Sequence, residues 1–129
     1  MSLARLISAI CLSLVALVNL APALADDSVI QRPADWAQPV EKQYNLFQMS
    51  PTLYRSALPD KGAVSLLENL KVGTVINFLP EEDSGWLSTP GITQVHLPYR
   101  TNHVDDADVL KALRAITSAE AEGPVLMHC

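Results

Sequence analysis

Cysteine is scarce in this chain: there are two in 129 residues, Cys11 and Cys129. Basic residues are outnumbered, nine against 14 acidic ones, for a formal charge of −5. An acidic chain without clustered Lys and Arg cannot meet a phosphate backbone, which excludes nucleic acid as a partner. There is no internal repeat and no low-complexity segment. Only one long apolar run is present, at the N-terminus, and no other stretch is long or apolar enough to span a bilayer.

That run defines the first 25 residues. Arg5 is followed by apolar sequence from Leu6 to Leu20 and then by Ala21-Pro22-Ala23-Leu24-Ala25. A positive start, a short apolar core and an Ala-x-Ala ending describe a secretory signal peptide cleaved after Ala25. A membrane anchor is the alternative, but the core falls short of the ~20 residues a spanning helix needs. The protein is therefore expected to be exported, to the periplasm or outside the cell, with no membrane contact after cleavage. Removing 1–25 leaves 104 residues, room for one small domain, with eight basic and 14 acidic residues and a charge of −6. It also removes Cys11, so Cys129 has no intramolecular partner. A lone thiol in an exported protein is either reactive or a pairing liability.

From Asp26 to about residue 43 the chain holds Pro33 and Pro39 with little apolar periodicity, and reads as an extended arm with Trp36 as an anchor onto the domain. Leu46–Met49 and Thr52–Arg55, separated by Ser50-Pro51, predict a hairpin. Asp60 is placed to cap a helix over Lys61 to Lys71, with apolar Val64, Leu67 and Leu70 and with Gly73 as its stop. Thr74–Leu79 is β-branched and apolar and predicts a buried strand. A polar loop follows to Gly91, and its Glu81-Glu82-Asp83 cluster reads as solvated surface. Ile92–Leu97 predicts another strand, with Val95 and Leu97 on one face. A second helix is expected over Asp106 to Ala121, with Val109, Leu110, Leu113 and Ile116 as its packed face. Gly123-Pro124 then lead into Val125-Leu126-Met127-His128-Cys129, a last buried strand with a thiol at its tip. The order of elements predicts an α/β fold with a mostly parallel sheet flanked by helices. The last strand is apolar throughout and expects cover on both faces.

The ending Val125-Leu126-Met127-His128-Cys129 resembles the opening of the cysteine-phosphatase signature, in which His-Cys is followed by five residues and an arginine. Upstream, Arg32-Pro33 with Trp36-Ala37, Pro51-Thr52-Leu53-Tyr54-Arg55-Ser56-Ala57, Gly73-Thr74-Val75-Ile76-Asn77 and His96-Leu97-Pro98 also resemble exported bacterial members of the dual-specificity-like tyrosine phosphatase family. The resemblance covers essentially the whole mature chain. It implies a cysteine-phosphatase-like fold over 44–129, lacking the helices that follow the last strand. It also implies hydrolysis of a phosphorylated protein or a small phosphate monoester through a phosphocysteine, with no cofactor.

Residue by residue, the resemblance makes Cys129 the nucleophile and His128 a brace for the phosphate loop. Thiolate attack on phosphorus needs a thiol ionised near neutral pH, while an isolated cysteine has a pKa of about 8.5. Loop N–H groups at a helix N-terminus lower it and cradle the phosphate, and an arginine clamps the phosphoryl oxygens. The 129 residues contain no match for those amides, the arginine or the helix. A chain of these residues alone is therefore expected to be catalytically incomplete, and its apolar last strand to leave it marginally stable.

The resemblance draws the general acid from the loop after Leu97. Relatives place an aspartate early in that loop, where this chain has Arg100 and Thr101. Asp105 and Asp106 are the candidates by position, and both also suit a helix start, where aspartates cap exposed N–H groups. A metal site from His96, His103, His128 and Cys129 matches no tight ligand spacing. Two rival readings remain: a rhodanese-like sulfurtransferase, which also presents a cysteine at a strand end, and a non-catalytic exported binding module.

Overall fold

The computed structural model describes residues 32–100 and 102–129. The predicted signal peptide and Thr101 lie outside the described residues. Six strands form one sheet: β1 (Gln38–Glu41), β2 (Leu46–Ser50), β3 (Leu53–Ser56), β4 (Thr74–Asn77), β5 (Thr93–His96) and β6 (Val125–His128). Their spatial order is β1-β2-β3-β6-β4-β5. β1, β2 and β3 are an antiparallel meander, whereas β6 runs parallel to both β3 and β4, and β5 parallel to β4. The last strand in sequence thus sits inside the sheet with Val125 and Leu126 completely buried. The apolar face expected to lack cover is therefore covered, by Leu67 and Val72 on one side and by Ala115, Ile116 and Ala119 on the other. That position explains its apolar composition, since an inner parallel strand is covered on both faces.

The arm differs from its expected form. Gln38–Glu41 joins the sheet as an edge strand, and Pro39 is tolerated there because an edge residue need not donate to a ladder on both sides. Trp36 is 58% exposed and anchors nothing. The hairpin over β2 and β3 forms as expected.

Asp60 caps as predicted: its carboxylate accepts from Gly62 N–H at 2.8 Å, opening a 3-10 turn at Lys61–Ala63 that runs into helix α1 (Val64–Asn69). The helix stops before Gly73. Lys71 takes a left-handed conformation, φ 60°, with Lys71 N–H donating to Glu68 O and Val72 N–H to Leu67 O, both at 3.0 Å. This is a Schellman closure with lysine where glycine is usual, sealed by Leu67 and Val72 in one apolar cluster. Lys71→Gly is therefore expected to raise stability by about 0.5–1 kcal/mol, because glycine carries no left-handed penalty. A thermal melt with a lower Tm than wild type would contradict this.

The sheet buries two apolar layers. Leu46, Tyr54, Val75 and Leu126 pack against Leu67 and Val72 on the α1 side. Ile76, Leu97 and Val125 pack on the other side against helix α2 (Asp106–Glu120), together with Val95 as expected. α2 meets the sheet through a different stripe from the one its large residues suggest. Val109, Leu110 and Leu113 are about half exposed, and contact comes from Ala115, Ile116 and Ala119. Small side chains let the helix axis approach the sheet closely, and Ile116 belongs to both stripes.

Candidate active site

The carboxyl ends of β4, β5 and β6 converge, and the main chain extends the ladder beyond the strands: Phe78 N–H donates to His128 O at 3.1 Å and Leu97 N–H to Asn77 O at 2.8 Å. Cys129 follows directly and is exposed with a free thiol. His128, one residue earlier, is buried, so the same strand end carries one side chain inward and presents the next to solvent.

His128 is held by a residue assigned above to the solvated surface. Asp83 is 4% exposed, and its Oδ2 lies 2.8 Å from His128 Nε2. Asp83 Oδ1 accepts from Asn77 Nδ2 at 3.0 Å and from Trp86 Nε1 at 2.9 Å. A 3-10 turn over Asp83–Gly85 places the carboxylate, with Asp83 O accepting from Trp86 N–H and Leu87 N–H at 3.0 and 2.8 Å. Asn77 sits at the end of β4 and also donates to Glu81 O at 2.7 Å, while its Oδ1 accepts from Leu79 N–H at 2.7 Å. The Trp86 ring meets His128 edge-on at 6.1 Å. Three side chains from β4, β6 and the turn therefore close around one buried carboxylate. Glu81 and Glu82 of the same cluster are exposed, as expected. The signal for Asp83 was the pair Trp86-Leu87 in an otherwise polar loop: Leu87 is 1% exposed and draws the turn onto the core.

Asp105 is the N-cap of α2. Its carboxylate accepts from Asp108 N–H at 2.9 Å, and Asp108 returns a bond to Asp105 N–H at 3.3 Å, a complete capping box. Asp106 is exposed in the first helical turn. Tyr99 ties this helix start to the strand ends: its ring stacks on Phe78 at 5.5 Å and its hydroxyl donates to Asp108 O at 2.9 Å. Burial, then the charges of Asp108 and Asp105, push the Tyr99 phenol above its ordinary value of 10.0. Arg55 lies over the Phe47 ring at 4.4 Å, with Arg32 at 5.1 Å from the same ring.

The histidines are not gathered. His96 Nε2 bonds Leu79 O at 2.7 Å, His128 faces Asp83, and His103 is exposed. Among the described residues no group of three or more His, Cys, Asp or Glu could hold a metal ion. No described helix is long and apolar enough to cross a membrane.

An open α/β sheet with a cysteine at the carboxyl end of an inner parallel strand is the arrangement of the cysteine-phosphatase-like fold, and solved structures of that class superimpose on this chain. The crystal structure of TpbA from Pseudomonas aeruginosa matches with a TM-score of 0.73 at 50% identity, over 76% of this chain and 61% of that one. A cysteine-to-serine variant of TpbA in complex with pTyr matches with a TM-score of 0.72 at 49% identity, over 75% and 60%. The core catalytic domain of the PP-IP phosphatase SIW14 from S. cerevisiae, in complex with citrate, matches with a TM-score of 0.52 at 28% identity, over 60% and 50%. In sequence, the chain is homologous to the dual specificity protein phosphatase TpbA of P. aeruginosa strain UCBPP-PA14. The two are 48% identical over 108 residues, which is 84% of this chain and 50% of that protein. The chain thus spans about half the length of the curated relatives it matches. No family model matches it.

Proposed function

We propose that this chain supplies the nucleophile of a cysteine-dependent phosphatase of the tyrosine or dual-specificity type, a hydrolase acting on phosphate monoesters through a phosphocysteine. The observation that carries the reading is Cys129, exposed directly after the buried His128 at the end of an inner parallel strand. Homology to TpbA and the superposition on its complex with pTyr support a phosphorylated substrate. Cys129 Sγ attacks phosphorus and the ester oxygen leaves as the alcohol after taking a proton. Water then displaces the thiolate to release phosphate. Asp105 and Asp106 are the candidates to deliver that proton, from the start of α2. Stabilising the charge on the phosphoryl oxygens needs the loop amides and arginine described above. A polypeptide of these 129 residues alone is accordingly proposed to hydrolyse nothing.

The test is p-nitrophenyl phosphate hydrolysis by the protein produced in its native host. Cys129→Ser is expected to reduce kcat by roughly three orders of magnitude or more, since a hydroxyl is a far weaker nucleophile at neutral pH. A serine variant as fast as wild type would refute the assignment.

The protein is also proposed to be exported, on the strength of Arg5, the apolar core and the Ala23-Leu24-Ala25 ending. The intact mass of periplasmic or secreted material is expected to correspond to a chain beginning at Asp26. Recovery of an uncleaved N-terminus would count against export by this signal.

A further inference from the structure

Arg55 and Phe47 are register partners on β3 and β2, and the Arg55 guanidinium lies 4.4 Å from the Phe47 ring centroid. Arg32 reaches the same ring from outside the sheet, at 5.1 Å. Its segment is pinned: Trp36 N–H donates to Pro33 O at 3.0 Å, and Gln38 Nε2 donates to Pro33 O and Trp36 O at 2.9 and 2.8 Å. Acidic residues outnumber basic ones 14 to nine, yet among the described residues neither guanidinium forms a salt bridge. Stacking occupies the face of a guanidinium and leaves its N–H edge free for an oxygen in its plane. Two cations on one ring also repel each other, and no carboxylate among the described residues offsets that.

The register sets this patch beside the end of β6. Arg55 is opposite Met127, and two residues back Leu53 is opposite Val125. Leu53, Val125 and Met127 share the apolar cluster on the α2 side, so the two-residue period of a strand puts Arg55 on that face as well. Carried one position beyond His128, the same alternation brings Cys129 to the Arg55 face. A strand spacing of about 4.8 Å and a two-residue rise of about 6.6 Å put the two Cα atoms about 8 Å apart. An extended peptide rises about 3.3 Å per residue, so a long side chain at that separation meets the neighbours of a phosphorylated residue.

We propose that Arg55, with Arg32 beside it on Phe47, is a specificity-determining residue that binds a carboxylate flanking the phosphorylated residue, and so selects acidic phosphopeptides. This rests on Cys129 being the nucleophile, since that reading is what brings a phosphorylated residue next to the patch. An acidic side chain supplies both missing elements, an acceptor for the N–H edges and a charge that offsets the repulsion of the two cations. Arg55 is half-buried and Arg32 exposed, so the first sets the geometry and the second adds charge. The Phe47 ring keeps water from one side of each guanidinium, which strengthens its attraction for an incoming anion.

The experiment titrates the 129-residue chain with two phosphotyrosine peptides that differ only in their flanking residues, Glu in one and Gln in the other, and with inorganic phosphate. NMR of the arginine Nε–Hε groups follows each titration and gives its Kd. The Glu peptide is expected to move the Arg55 and Arg32 signals and to bind about twofold to fivefold more tightly than the Gln peptide, the range for an exposed charge pair. That preference should fade as salt is added. Arg55→Gln should abolish it, Arg55→Lys should restore part of it, and Arg32→Gln should weaken it. Equal affinities for the two peptides in wild type overturn the proposal whether or not the variants fold. An unmoved Arg55 signal does the same, as does an Arg55→Gln chain that keeps the preference. Inorganic phosphate that moves the Arg55 signal at the same concentrations as the Glu peptide also overturns it, because the patch would then hold phosphate itself. None of these readouts requires turnover, so the activity of Cys129→Ser tests the nucleophile separately.

Discussion

Asp83→Ala is expected to lower the unfolding free energy by about 3–5 kcal/mol, since each buried polar group left without its partner costs about 1–3 kcal/mol. The variant removes the shared acceptor of three groups at once: His128 Nε2 and Trp86 Nε1 lose their partner, and Asn77 Nδ2 keeps only Glu81 O. None can turn to water, since Asn77 and His128 are each 2% exposed and Trp86 is only partly open. A domain of this size is stable by roughly 5–15 kcal/mol in all, so the loss would take a large share of it. Urea unfolding followed by circular dichroism measures it. A loss below about 1 kcal/mol would mean that water reaches the carboxylate and that the turn does not depend on it.

Leu126→Ala is expected to cost about 2–5 kcal/mol, the range for deleting a buried leucine side chain. Leu126 is fully buried on an inner strand, with Tyr54 and Val75 as its register partners on β3 and β4. Both neighbouring backbones are pinned by ladder hydrogen bonds, so the site cannot collapse around the smaller side chain and a cavity remains. The upper half of that range is therefore expected. The same truncation at Leu113, 56% exposed on α2, should stay within about 0.5 kcal/mol. Denaturant midpoints for the two variants provide the comparison; equal losses would show that the outer face of α2 is covered and that Leu126 is not special.

Most of the elements were legible along the chain because their signals are local. The capping role of Asp60 follows from its own side chain and the next two residues. Asp105 with Asp108 three positions on is readable as a capping box for the same reason. The strand status of Thr74–Asn77 and Val125–His128 follows from apolar and β-branched runs bounded by Gly and Pro. Local patterns mislead where a neighbour far along the chain decides. The largest apolar residues of α2 suggest one packed stripe, but closeness to the sheet favours Ala115 and Ala119. Edge pairing turned Gln38–Glu41 from arm into strand, and nothing within those four residues announces a partner. The α1 stop fell on Lys71 because the closure is made by hydrogen bonds and the Leu67–Val72 contact, which a lysine can tolerate at a cost.

The α/β class, the thiol at the end of the last strand and the His128-Cys129 order are all written along the chain. These depend on period, run length and adjacency, which a linear chain already contains. That Asp83, 45 residues before His128, leaves the solvated cluster to bond it is settled by three-dimensional packing. A carboxylate in a polar loop is ordinarily at the surface, because burying its charge is costly without partners. Here the partners exist only once β4 and β6 lie side by side and the turn folds over them, so Trp86-Leu87 can mark the turn as buried but nothing local names His128 as the partner of Asp83.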